Sequence, residues 1–109
     1  MRLSRNAFWS GETEKRKDRL AFGIRHHRIP KGLWYLILPD ETDHPFRGLF
    51  AFISAEEAHR NRKMYRTTTV IGVAGSRAGA RDLSAKIVDR VFHETGGFDV
   101  RTWFGEDRT

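Results

Sequence analysis

Three groups of side chains in this sequence are of types that do chemistry. The first is a glycine loop, Gly72-Val73-Ala74-Gly75-Ser76-Arg77-Ala78-Gly79, which follows a β-branched run and precedes an apolar-periodic one. Strand, glycine loop and helix together make a phosphate cradle, because backbone amides and a helix N-terminus attract anions. Gly75, Ser76, Arg77 and Gly79 would line it. The spacing is G-x-x-G-x-x-x-G, which is neither the dinucleotide fingerprint nor the P-loop, and no lysine stands at the helix start. The plain reading is a tight βα turn with Ser76 as the helix cap.

The second group is basic. Lys15, Arg16, Lys17 and Arg19 form one cluster, with Arg25 and Arg28 downstream, and Arg60, Arg62, Lys63 and Arg66 form another. Trp9 and Tyr65 lie near these clusters in sequence, and Arg77 adds a further cation. Cations neutralise phosphates and release counterions, while aromatic rings stack on bases. Against this, cations at a helix C-terminus are favoured by the macrodipole alone, which would explain Arg60–Lys63 without a ligand.

The histidines are the third group. Adjacent His26 and His27 point to opposite faces if the segment is a strand, so they do not converge on one metal. His59 follows Glu56 by three, His93 precedes Glu94, and His44 follows Asp40, Glu41 and Asp43. No H-E-x-x-H or comparable ligand spacing occurs, and no metal or other cofactor is expected. Asp40, Asp43 and His44 would be the first suspects for a metal.

Composition bounds the setting of these groups. The 109 residues carry 20 Lys+Arg against 14 Asp+Glu, a net +6, with 39% hydrophobic residues and no cysteine. That is too apolar for a disordered chain, and it excludes disulfides, thiolate metal sites and a cysteine nucleophile. The charge is segmented: residues 1–32 hold net +6, 33–59 net −4, 60–77 net +5 and 78–109 net −1. The longest apolar run, Leu33–Leu38, is far short of the roughly 20 residues of a membrane span, and a cytoplasmic protein is expected.

The elements that must position these groups are read from periodicity. Leu20, Phe22 and Ile24 alternate with polar residues over Leu20–Arg28, which predicts a strand with one buried face. Leu33–Leu38 and Gly48–Ile53 predict two more, completing a three-stranded antiparallel meander. Ser54-Ala55-Glu56-Glu57 has the form of a capping box, opening a helix from Ala55 to about Lys63. Thr67–Val73 is a β-branched fourth strand. Leu83, Ile87 and Val91 mark a helix from about Ala80, stopped by Gly96-Gly97. Phe98, Val100, Thr102 and Phe104 alternate as a fifth strand. The expected architecture is α+β with a mixed sheet, in the order β-β-β-α-β-α-β. The strand–helix–strand unit at residues 67–104 would be a parallel crossover. A polar N-terminal segment with freedom to move, residues 1–18, would precede a single domain over 19–109.

The pattern favours a small, basic, non-enzymatic protein that associates with nucleic acid through sequence-independent phosphate contacts. A second reading is a protein-binding module or inhibitor acting on a larger partner, with Gly48–Ile53 at a sheet edge where a second copy would pair to form a homodimer. The third is an enzyme with a phosphate-bearing substrate in the glycine loop. The distinction turns on whether folding brings the two basic blocks together.

Overall fold

In the computed structural model the chain runs β1 (Arg2–Trp9), α1 (Gly11–Glu14), α2 (Lys17–Arg25), β2 (Trp34–Leu38), β3 (Ala51–Ser54), α3 (Ala55–Arg60), β4 (Thr69–Ala74), α4 (Arg77–Thr95) and α5 (Val100–Gly105). The structure describes residues 2–26, 28, 31–38, 50–61 and 68–105. The strands form one four-stranded sheet in the order β1-β4-β2-β3. β1 pairs parallel with β4, and β2 pairs antiparallel with both β4 and β3. Three strands therefore run one way and β2 the other, which makes the mixed sheet of an α+β fold.

Helices cover both faces. On one, Leu20, Ala21 and Ile24 of α2 and Ala55 and Ala58 of α3 pack with Leu3, Tyr35, Ile37, Ile53, Val70 and Val73. On the other, Ala80, Leu83, Ile87 and Val91 of α4 and Val100 and Phe104 of α5 pack with Leu36, Leu38, Ile71 and Ala74. β2 supplies alternate residues to the two clusters, as a doubly covered strand must. β4 breaks that alternation. Leu36 faces Gly72 and Ile37 faces Val70, so Ile71 is an extra residue in the ladder. The bulge turns Gly72 toward α4, where an added Cβ would lie 3.0 Å from Leu36 Cδ1 and 3.1 Å from Leu83 Cδ2. Glycine is required there by close approach.

Helix ends follow their capping residues. Ser54 accepts the Glu57 amide at 3.3 Å, and Ser76 accepts the Gly79 amide at 3.0 Å. α4 ends at Gly96, which takes φ 78° and donates its amide to the Phe92 carbonyl at 2.8 Å. The Tyr35 hydroxyl and His59 Nε2, both buried, meet at 2.9 Å and tie β2 to α3.

Several expectations are corrected. Leu20–Arg28 is not a strand. Leu20, Ala21 and Ile24 share a helical face, and that spacing prevails over the period-two pattern of Leu20, Phe22 and Ile24. The first three strands are therefore not an antiparallel meander. The position expected of Leu20–Arg28 in the sheet is taken by none of its residues, and the additional strand is Arg2–Trp9, from the segment read as polar. Phe98–Phe104 is not a fifth strand. Asp99 accepts the Thr102 amide at 3.0 Å and the Thr102 hydroxyl at 2.6 Å, a cap that starts a helix. Val100 and Phe104, four apart, are buried, whereas Phe98 and Thr102 are exposed. The expected crossover at residues 67–104 is consequently absent, and β4 is followed by two helices. The element order is β-α-α-β-β-α-β-α-α. Smaller shifts are α4 beginning at Arg77 and β4 occupying Thr69–Ala74.

Candidate functional site

α2 is a short helix with an unusual distribution of charge. Its apolar stripe consists of Leu20, Ala21 and Ile24, and everything else on it faces outward or lies at the margin. Lys15, Arg16, Lys17, Arg19, Arg25 and Arg28 are all exposed, with Asp18 the single carboxylate in that stretch. None of the six forms an ion pair among the described residues. Arg16 holds the N-cap position with no side-chain hydrogen bond, and Lys17 and Arg19 stand in the first turn on either side of Asp18. Positive charge there opposes the helix macrodipole, at a cost of about 0.3–1 kcal/mol per cation.

The outward face also carries a ring. Phe22 is 51% exposed. The His26 imidazole stacks on it with centroids 3.9 Å apart and planes 22° from parallel. His26 Nδ1 lies 2.8 Å from the Phe22 carbonyl, which only accepts, so Nδ1 carries the proton and the ring is held in place. The Arg28 amide donates to the Gly23 carbonyl at 2.8 Å, and this return of the chain sets the Arg28 guanidinium 5.8 Å from the Phe22 ring centroid. Arg19, Phe22 and His26 fall at i, i+3 and i+7, on one stripe of the helix.

The glycine loop lies elsewhere, where the parallel strands β1 and β4 end side by side. A cleft of about 370 Å³ opens there between Ser10, Gly11 and Glu12 on one side and Ser76, Gly79, Asp82, Leu83 and Lys86 on the other. Chains leaving adjacent strand ends toward opposite faces of a sheet leave such crevices. Here the loop is engaged by its own chain. The Gly75 amide donates to Ser10 Oγ at 3.3 Å, and Ser10 Oγ lies 3.1 Å from Thr13 Oγ1. Thr13, fully buried, also donates to the Val73 and Ser10 carbonyls at 3.1 and 3.0 Å. Its single proton is shared between those carbonyls, so the Ser10 hydroxyl is the donor in the pair. The Glu12 carboxylate packs against the Gly75 Cα, in the space a Cβ would fill. A carboxylate at that point repels an incoming phosphate.

The remaining sequence candidates are dispersed. Arg60 is exposed at the end of α3, on the same sheet face as α2. Arg77 opens α4 on the opposite side, its guanidinium 5.8 Å from the Trp34 ring. Trp9 is half-buried and packs against the α2 side of the core rather than standing free. Glu56 does not share a ligand with His59. It accepts the Gly32 amide at 2.8 Å, which, with Arg60 and Lys31 nearby, holds its carboxyl below the usual range. His93 bonds back to the Asp89 carbonyl at 2.8 Å. His27, Asp40, Glu41, Asp43, His44, Arg62, Lys63, Tyr65 and Arg66 lie outside the described residues.

Sequence reasoning missed Phe22 and His26 as a surface pair, because the strand reading turned Phe22 inward. The signal was present in Ala21, whose apolar side chain completes a helical stripe and leaves Phe22 off it. Comparisons of the chain with protein-family models, curated proteins and solved structures each return no match. Among the described residues, no helix is long and apolar enough to cross a membrane.

Proposed function

We propose that the protein is a non-enzymatic module that associates with nucleic acid through sequence-independent phosphate contacts on α2. One observation supports this above the others: among the described residues, exposed cations without an ion pair crowd the N-cap and first turn of α2 around a single carboxylate, Asp18, and their excess opposes the helix dipole. Arg60 needs no ligand to explain it, since it stands at a helix C-terminus. Arg16, Lys17 and Arg19 have no such explanation, and a polyanion is the partner that compensates them. Lys15, Arg25 and Arg28 extend the same positive surface, and Arg60 adds to that face of the sheet.

The test is fluorescence anisotropy with a labelled oligonucleotide of arbitrary sequence at stepped salt concentration. Log affinity should fall linearly with log salt, and the double variant Lys17→Glu/Arg19→Glu should reduce both the affinity and the slope. Absence of binding at low salt, or binding that ignores salt, would overturn the reading.

A further inference from the structure

Resting on that reading of α2, we infer that Phe22, held by His26 and Arg28, is a base-stacking platform that makes the surface selective for unpaired strands. Phosphate contacts alone do not favour single strands, because a duplex presents the denser charge. An exposed ring does. Every unpaired base has a π face to lay on it, whereas the bases of a duplex are already stacked. The geometry suits this use. The His26 ring already stacks on Phe22 with its plane 22° from parallel, so a third planar group extends an existing stack. The guanidinium of Arg28 is the looser neighbour at 5.8 Å, and it can give way to a base or lie flat on one.

Exposure of an aromatic ring is not sufficient in itself, and the molecule supplies its own control. Phe92 and Phe98 are also exposed and stacked, at 5.2 Å. They stand beside a compensated ion pair, Arg90 with Glu94 at 2.8 Å, and the His93 ring contacts the Asp89 carboxylate at 3.3 Å. Only at α2, among the described residues, does an exposed stacked ring meet unpaired cations. Those cations also argue against an apolar protein partner, which would have to desolvate them on covering Phe22.

The experiment compares an unstructured single-stranded oligonucleotide with a duplex of the same length, at one salt concentration, on wild type, Phe22→Ala and Phe22→Trp. The wild type should bind the single strand more tightly. Phe22→Ala should weaken single-strand binding about tenfold, with duplex binding and the salt slope unchanged, and Phe22→Trp should retain the preference. The ring is on the surface, so the thermal midpoint of Phe22→Ala should match wild type and separate stacking from misfolding. Equal affinity of the wild type for both forms, or a Phe22→Ala variant that loses neither or both alike, would overturn the platform and leave the phosphate surface standing. Absence of binding to either form would overturn both.

Discussion

α2 and α4 cover opposite faces of one sheet and are built for different ends. α4 has 19 residues, a serine at its N-cap, a left-handed glycine at its C-cap, and four buried residues in helical register. It opens with Arg77 and Arg81, after which its charges alternate in sign, and two of its outward pairs are closed by contact. α2 has nine residues, no side-chain cap, three buried residues and cations at the wrong end of its dipole. The first arrangement serves the core. The second carries a local conflict between charge and helix dipole, and the proposed binding surface rests on that conflict.

The contrast can be tested by treating the helices as equals. The largest difference should come from the core. Ile87→Ala should cost about 2–5 kcal/mol in chemical denaturation, through lost burial and the cavity left behind. Phe22→Ala should change stability by no more than about 0.5 kcal/mol. Next, Lys17→Glu/Arg19→Glu should weaken nucleic-acid binding at low salt by tenfold or more, a loss of about 1.4 kcal/mol or greater. The same variant should raise thermal stability, by about 0.3–1 kcal/mol for each cation relieved. Arg81→Glu on α4 should leave binding unchanged, and equal loss from both helices would erase the distinction. Capping should then separate the two helices. Ser76→Ala should cost α4 about 1 kcal/mol, whereas Arg16→Ser should change stability by no more than about 0.5 kcal/mol, because Arg16 lacks the extended backbone that a serine cap requires.

The smallest effect concerns pH and α5. Bonding to Thr102 holds the Asp99 carboxyl below the usual range. A carboxyl depressed in the folded state contributes stability that is fully present above its unfolded pKa and is lost as pH falls through the folded one. Acid should therefore increase amide exchange over residues 100–104 before the rest of the chain responds. Asp99→Asn should remove that pH dependence.

These helices also show what could be read from the sequence. α4 was legible because its caps and its apolar repeat agree. α3 was legible from Ser54 and Glu57, and β2 from a run apolar on both faces. α2 and α5 were not, for a shared reason. Each is short, and Leu20, Phe22, Ile24 and Phe98, Val100, Phe104 satisfy period two as well as they satisfy a helix. Ala21 decides the first and the Asp99 cap decides the second, and both are weak signals beside the aromatic residues they displace. β1 was missed because Arg2, Arg5 and Asn6 interrupt its apolar positions. The ladder accommodates them by running from Leu3 to Phe8 opposite only Val70 to Gly72. The basic cluster was named from residue type alone, and its place at the N-terminus of α2 was not legible while that segment read as a strand.

The pairing of β1 with β4 also orders events in time. Leu3 lies beside Val70, and Trp9 beside Val73. A ribosome adding about 5–20 residues per second leaves β1 without that neighbour for roughly 3–14 s. During that interval Ala7, Phe8 and Trp9 are available to any other exposed strand, a hazard for a nascent chain. Arg2 and Arg5 lie in the same stretch, and their charge opposes the stacking of one waiting chain on another. The irregular edge of the finished sheet thus also serves as protection for an unfinished one.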